Sequence, residues 1–300
     1  MRTKDPVLSS NLNFTGQYGV LTAGKNIVGF SSRISDKAWK EQLRPVLEAA
    51  LQDEAGLIVR TNAYGHEEQL LEELKKLQVL YRNVRQAAAY RTCFSLLYEA
   101  EPFYVAAVRD IYSRNLEEII TDIPGIYEKL KEYLKDFIPE EADKLSFYED
   151  KLLPLHKLYR LEHALDEVQQ EKIWLKSGGF LVIQQTEAFV SIDVNSGKYT
   201  GKKKAEETYR KINLEASEEI ARQIQLRNLS GIILIDFINM QNPDHQDELF
   251  HVLQKYLRKD PVKARAVDIT PLHILEMTRK KVRKPVREEI LEIRKQSEEK

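Results

Sequence analysis

Apolar residues recur at three- and four-residue spacing over Trp39, Leu43, Val46, Leu47 and Leu51, which predicts an amphipathic helix opened by Asp36 as its N-cap. A second apolar face, Leu70, Leu71, Leu74, Leu77, Leu80 and Tyr81, predicts a long packed helix beyond Gly65. Between the two, Gly56-Leu57-Ile58-Val59 reads as a short buried strand, followed at once by Arg60 and Thr61. Upstream, Phe14, Tyr18, Val20, Leu21, Ile27, Val28 and Phe30 are interrupted by Gly16, Gly19, Gly24 and Gly29, the pattern of short strands joined by tight turns.

The middle of the chain is mixed, with strands expected at 94–99 and 116–121 and helices around 103–114, 125–136 and 159–171. The carboxy-terminal half is more regular. Phe180-Leu181-Val182-Ile183 and Phe189-Val190-Ser191-Ile192-Asp193 read as two strands joined by a turn at Gln185-Thr186-Glu187, and a helix with Ile212, Ala216, Ile220 and Ile224 on one stripe follows over 204–226. Gly231-Ile232-Ile233-Leu234-Ile235-Asp236 is a continuous apolar run, as in a strand buried on both faces. Pro243 starts a helix to about Lys259, and Ala264–Ile269 is a further strand candidate. Strands alternating with helices predict an α/β layered domain over about 170–280.

Composition changes this picture in a few places. Three hundred residues point to more than one domain, and 42% hydrophobic with 31% charged residues exclude a largely disordered or low-complexity chain. Lys and Arg number 46 against 47 Asp and Glu, so binding to a polyanion has to come from local clusters rather than net charge. One cysteine, Cys93, excludes an intramolecular disulfide and a Cys-based zinc site; its apolar setting suggests a small buried residue, and the chain fits a reducing cytosol. No signal-peptide core and no apolar run long enough for a bilayer is present, so a cytoplasmic protein without membrane contact is expected.

The chemistry concentrates where two strands end in carboxylates, Asp193 and Asp236. A polar group at the end of an apolar strand lies at the sheet rim, where α/β folds place ligands, and two such carboxylates on neighbouring strands suit one Mg²⁺ whose shell water and phosphate complete. Asn195, two residues beyond Asp193, projects to the same side if the strand continues and would orient a ligand. Strand-terminal aspartates also cap turns and helices, and spacing alone leaves that alternative open. The loop 196–204, with Gly197, Lys198, Gly201 and three further lysines, is a phosphate-binding candidate or a solvated basic loop. Arg279-Lys280-Lys281-Val282-Arg283-Lys284 is a second basic cluster, suited to a nucleic-acid backbone or to a charged helical face. His245 reads as a structural residue at a helix start, and there is no HExxH, GxSxG or Walker motif.

Gly178-Gly179-Phe180, Gln184-Gln185-Thr186-Glu187-Ala188 and Ser191-Ile192-Asp193-Val194-Asn195-Ser196-Gly197-Lys198 together resemble the catalytic domain of the ribonuclease E/G family. Asn213-Leu214-Glu215-Ala216, Glu219 to Gln223, Gly231 to Ile238 and Leu275-Glu276-Met277-Thr278-Arg279 match that family in order and spacing, and the resemblance extends over 4–281, most firmly from 177. It implies an α/β, multi-subdomain fold: a mixed-sheet catalytic domain preceded by a smaller α+β subdomain that senses a 5′ end. The implied divisions are 1–102 (5′-monophosphate-sensor-like), 103–170 (partial ribonuclease-H-like or helical connection), 171–285 (deoxyribonuclease-I-like, catalytic) and 286–300 (charged tail).

The resemblance further implies an Mg²⁺-dependent endoribonuclease acting on single-stranded RNA in RNA processing or decay, with Asp193 and Asp236 on the metal and Asn195 supporting them. Arg60 and Thr61 would hold a 5′-monophosphate, with the loop from Gly16 to Val20 lending backbone, and Lys198 and Lys263 would add substrate contacts; a guanidinium fork with a hydroxyl suits a phosphate end. Lys263 stands where the family's sensor often has Arg, and Pro271-Leu272-His273 replaces a more usual Arg-Phe-Gly. The family's barrel-shaped RNA-binding region and its CxxC zinc link are not expected within these 300 residues, which puts zinc-bridged dimerisation in question and leaves a homo-oligomer open. The alternative reading is a member of the same family that binds RNA without cleaving it.

Overall fold

The computed structural model describes residues 11–24, 26–52, 55–110, 116–197 and 205–298. The chain divides into two compact units, one ending at Leu158 and the other beginning at Tyr159.

In the first unit, β1 (Asn13–Thr15), β2 (Gly19–Ala23), β3 (Val28–Phe30) and β4 (Ala55–Val59) form a sheet of order β1-β2-β4-β3, mostly antiparallel with β3 parallel to β4. Helix α1 (Lys37–Ala50) starts where the Asp36 side chain accepts from the Trp39 N–H, as the N-cap pattern predicts. Helix α2 (Glu67–Tyr90) buries Leu70, Leu74, Leu77 and Tyr81, and both helices share a core with Leu21, Leu57 and Val59. A separate small core gathers Val105 of α3 (Phe103–Asp110), Leu130 and Leu134 of α4 (Pro124–Phe137), and residues around the parallel pair β5 (Ile119–Thr121) and β6 (Leu145–Phe147). A single turn of helix, α5 (Leu155–Leu158), ends this unit.

No strand forms over 94–99. Phe94 adopts a left-handed conformation (φ 64°) and the segment has no partner ladder, which a strand requires whatever its β-propensity. Cys93, in the same stretch, is exposed rather than buried.

The second unit contains α6 (Leu161–Gln169), β7 (Lys172–Trp174), β8 (Phe180–Gln185), β9 (Phe189–Asn195), α7 (Ala205–Leu226), β10 (Gly231–Asp236), α8 (Pro243–Leu257), β11 (Ala264–Ile269), β12 (Ile274–Arg279) and α9 (Val286–Glu298). The helix expected over 159–171 is shorter because Arg160 is left-handed (φ 49°) and breaks it from α5. The six strands form one mixed sheet, order β11-β12-β10-β9-β8-β7, in which only β9 and β10 run parallel, linked by α7. A parallel pair needs such a crossover, which is why the long helix falls between these two strands.

One face of this sheet packs under the helices. Leu181, Ile183, Val190, Ile192, Ile233, Ile235, Leu275 and Met277 alternate onto it and form a core with Ile212, Ile220, Ile224 and Leu253. The alternate residues are not covered to the same degree: Ile232 and Asp236 are exposed and Leu234 is half-buried, so β10 is closed on one face rather than on both. The segment expected as a charged tail forms α9, and among the described residues no helix is long and apolar enough to cross a membrane.

Candidate active site

Asp236, the last residue of β10, is the direct register partner of Asp193 on the parallel strand β9. Register partners on neighbouring strands point to the same face, so both carboxylates stand side by side on the open face of the sheet, where both are exposed. Strand β9 continues to Asn195, whose Nδ2 donates to Asp193 Oδ2 at 2.7 Å and fixes that carboxylate's orientation. The Asp236 carboxyl is pushed above the usual aspartate range, first by partial burial and then by the neighbouring Asp193 charge. Two hard oxygen donors, with no third acidic, His or Cys ligand grouped with them among the described residues, fit Mg²⁺ better than a metal that demands a full protein cage.

Helix α7 organises the loops around this pair. Buried Asn213 closes a two-way clamp on the segment after Asp236, donating to the Ile238 carbonyl at 2.8 Å and accepting from the Ile238 N–H at 3.1 Å. One heptad earlier, Glu206 accepts from the Gln241 and Asn242 N–H groups and meets the His245 ring at 3.2 Å. Those backbone hydrogen bonds, led by Asn242, hold the Glu206 carboxyl below its usual range. Glu215 accepts from Lys176 and Ser177 N–H groups in the turn before β8. Thus His245 serves the loop, as its position at a helix start predicts, and the helix interior carries positioning groups that periodicity alone does not single out.

Gly197 does not open space for a ligand. It is left-handed (φ 66°), and a Cβ there would lie 2.2 Å from the Gly178 carbonyl, so its missing side chain lets two turns cross. Lys198 and the lysines at 202–204 lie outside the described residues. Lys263 precedes β11 and its carbonyl accepts from the Lys280 N–H, which places it at the opposite end of the sheet from Asp236. Of the two readings of the basic cluster, the charged helical face is excluded, since residues 280–285 are not helical; Arg279, at its head, ends β12 and is buried against Asp260.

In the first unit, Arg60 Nη1 donates to the Gly16 carbonyl at 2.7 Å and to Asp110 Oδ1 at 2.8 Å, and Arg109 also reaches Asp110. Burial opposes ionisation of Asp110, but Arg109 and Arg60 outweigh it and hold the carboxyl below its usual range. Thr61 begins a 3₁₀ turn (Thr61–Ala63) and its Oγ1 lies 3.2 Å from Ser31 Oγ. The loop from Gly16 to Val20 is organised from within. The buried Glu73 carboxylate accepts from the Gln17, Tyr18 and Gly19 N–H groups, while Val20 lies in the β2 ladder opposite Thr15 and Ile58. Burial pushes the Glu73 carboxyl up, against the pull of those three donors. A Cβ on Gly16 would lie 2.3 Å from this carboxylate. Gly16→Ala is therefore expected to destabilise the first unit by about 1–3 kcal/mol, read as a lower denaturant midpoint.

A sequence profile described as the ribonuclease E/G family matches residues 13–282. The chain belongs to the ribonuclease E/G family. It is 35% identical over 285 residues to "Ribonuclease G" of Salmonella typhimurium (strain SL1344), covering 95% of this chain and 58% of that protein. It is 34% identical over 285 residues to "Ribonuclease G" of Escherichia coli (strain K12), again covering 95% of this chain and 58% of the relative. With "Ribonuclease E" of Nostoc sp. it shares 32% identity over 283 residues, 93% of this chain and 41% of the relative. The chain thus spans little more than half the length of these ribonuclease G relatives. Within this ribonuclease E/G chain, the Asp193–Asn195–Asp236 group lies inside the matched region, as do Arg60 and Thr61.

Proposed function

We propose that this chain carries the catalytic centre of an endoribonuclease that hydrolyses phosphodiester bonds in single-stranded RNA with Mg²⁺. The observation that supports the reading best is the in-register pair Asp193 and Asp236 on an open sheet face, with Asn195 hydrogen-bonded to the first of them. Asp193 and Asp236 would hold the cation; when bound, Mg²⁺ supplies a nucleophilic water and neutralises charge building on the phosphate oxygens. Asn195 would restrain the Asp193 carboxylate through the hydrogen bond it donates to Oδ2. Asn213 and Glu206, by tying down the backbone after Asp236, keep that carboxylate from swinging with its loop. Preorganisation of this kind matters because misplacement by about an ångström is costly in rate.

The test is direct incubation of the chain with a 5′-monophosphorylated single-stranded RNA in Mg²⁺ and in EDTA. Discrete products only in Mg²⁺ support the reading. RNA bound but uncut with every divalent cation tried would instead mark a family member that binds without cleaving.

We further propose that Arg60 and Thr61 receive the 5′-monophosphate. Arg60 is already committed to Gly16 and Asp110, so the phosphate would compete with the Asp110 carboxylate for one guanidinium. A 5′-monophosphorylated RNA is expected to be cut about ten- to a hundredfold faster than its 5′-hydroxyl counterpart, and Arg60→Ala is expected to erase that difference without abolishing cleavage. Equal rates on both RNAs with the unaltered chain would dismiss the sensor and leave the acidic pair standing.

A further inference from the structure

Beside the acidic pair, the open face of the sheet carries a group of aromatic residues that none of the roles above uses. Trp174, at the end of edge strand β7, pairs in register with Phe180 on β8, and Phe180 pairs with Asn195 on β9. All three therefore project to the face that bears Asp193 and Asp236. Trp174 is 62% exposed, although core demand would bury so large a ring, and its centroid lies 5.2 Å from that of Phe180. The Lys172 ammonium sits 3.8 Å from the Phe180 centroid and 4.3 Å from that of Trp174. Among the described residues no carboxylate lies within salt-bridge distance of Lys172, whose ammonium rests over the two rings. Lys172 also shares a register row with Val182, Asp193 and Asp236.

We propose that Trp174, with Phe180 and Lys172, is a stacking platform for an unpaired base of the RNA next to the cleavage centre. This rests on the endoribonuclease reading above. Two strand spacings, roughly 10 Å, separate Trp174 from Asn195, which a short run of unstacked nucleotides spans. An exposed indole offers a π-face to any base, and an adjacent ammonium meets the phosphate that the base brings with it. A duplex cannot use this platform, since its bases are already stacked inward, so the arrangement selects single strands without reading sequence. Trp174 would act on binding and register, not on bond breaking.

The experiment measures binding of a short single-stranded RNA to the full chain in EDTA, by anisotropy and by tryptophan fluorescence, alongside cleavage kinetics in Mg²⁺. The chain has two tryptophans, Trp39 and Trp174, so RNA should quench part of the emission. Trp174→Leu is expected to remove that quench and weaken binding roughly five- to a hundredfold, the range of one base–aromatic stack. Its effect should fall on KM more than on kcat, and Trp174→Phe should restore most of the affinity. Lys172→Ala should lower the slope of log K against log salt by about 0.7, the share of one phosphate contact on a single strand. Normal cleavage with unchanged affinity and quench in Trp174→Leu would overturn the platform while sparing the endoribonuclease reading. Failure of the unaltered chain to bind single-stranded RNA would overturn both. Asp193→Asn should lose cleavage but keep the quench, which separates the platform from the acidic pair.

Discussion

Asp193→Asn and Asp236→Asn are each expected to lower Mg²⁺-dependent RNA cleavage roughly a thousandfold or more, because a cation that stabilises phosphate charge contributes several kcal/mol to the barrier. Each substitution keeps the side chain's shape and removes one negative charge. Both sites are exposed on the open sheet face and take no part in the hydrophobic core, so the unfolding midpoint should scarcely move. Relief of charge repulsion should even favour the Asp193→Asn protein slightly, since the Asp193 charge is one of the causes that raise the Asp236 carboxyl. Asn195→Ala should cost less, about ten- to a hundredfold, as is usual for a group that orients a ligand without touching the metal. Cleavage that survives in either aspartate variant would remove the acidic pair from the mechanism. The assay follows labelled RNA with Mg²⁺ titrated, so that a weakened site is told from a lost one.

Asp260→Ala is expected to destabilise the second unit by about 3–5 kcal/mol, the cost of leaving a buried charge uncompensated. Arg279 Nε donates to Asp260 Oδ2 at 2.7 Å, and its Nη1 donates to Asn228 Oδ1 at 2.8 Å and to the Leu229 carbonyl at 2.9 Å. Asn228 is left-handed (φ 51°) and its own amide donates to the Lys284 carbonyl, so the guanidinium joins the end of β12 to the turn before β10 and to the chain leading into α9. Replacing both partners, as in Asp260→Leu with Arg279→Met, should cost markedly less than Asp260→Ala alone, because no charge is then stranded. Denaturant unfolding of the three proteins decides the point. A loss below about 1 kcal/mol in Asp260→Ala would mean that water reaches the guanidinium and the pair is not structural.

Arg279 also illustrates what residue type alone cannot decide. In sequence it heads a run of basic residues suited to an RNA backbone, yet the alternation Leu275, Glu276, Met277, Thr278 makes it the end of a strand. The fold then supplies Asp260 from a segment 19 residues away. That alternation carries the signal of β12, but the charge run beside it draws the reading toward a surface cluster instead of a strand end. Glu73 is a similar case. On a helical wheel it is one of many glutamates on α2, and only the approach of the Gly16–Gly19 turn converts it into the acceptor for three backbone donors.

The sequence by itself determined the helices α1, α2, α7 and α8 and the strands β4, β8, β9, β10 and β11, because their apolar spacing matches one period over enough residues to outweigh local exceptions. It also singled out Asp193, Asn195 and Asp236, since a carboxylate ending an apolar strand has few places to go but the rim. What only the tertiary structure decided is register and partnership. Whether Asp193 and Asp236 stand opposite each other depends on how two strands slide past one another, and a shift of one residue would turn one carboxylate into the core. The short pieces β6 and β7 exist because neighbours complete their ladders; of the two strands expected in the middle of the chain, 116–121 finds such a neighbour and forms β5, while 94–99, equally β-prone, has none and stays irregular. Backbone hydrogen bonds between distant segments stabilise such pieces, and residue type within a segment carries no record of who the partner will be.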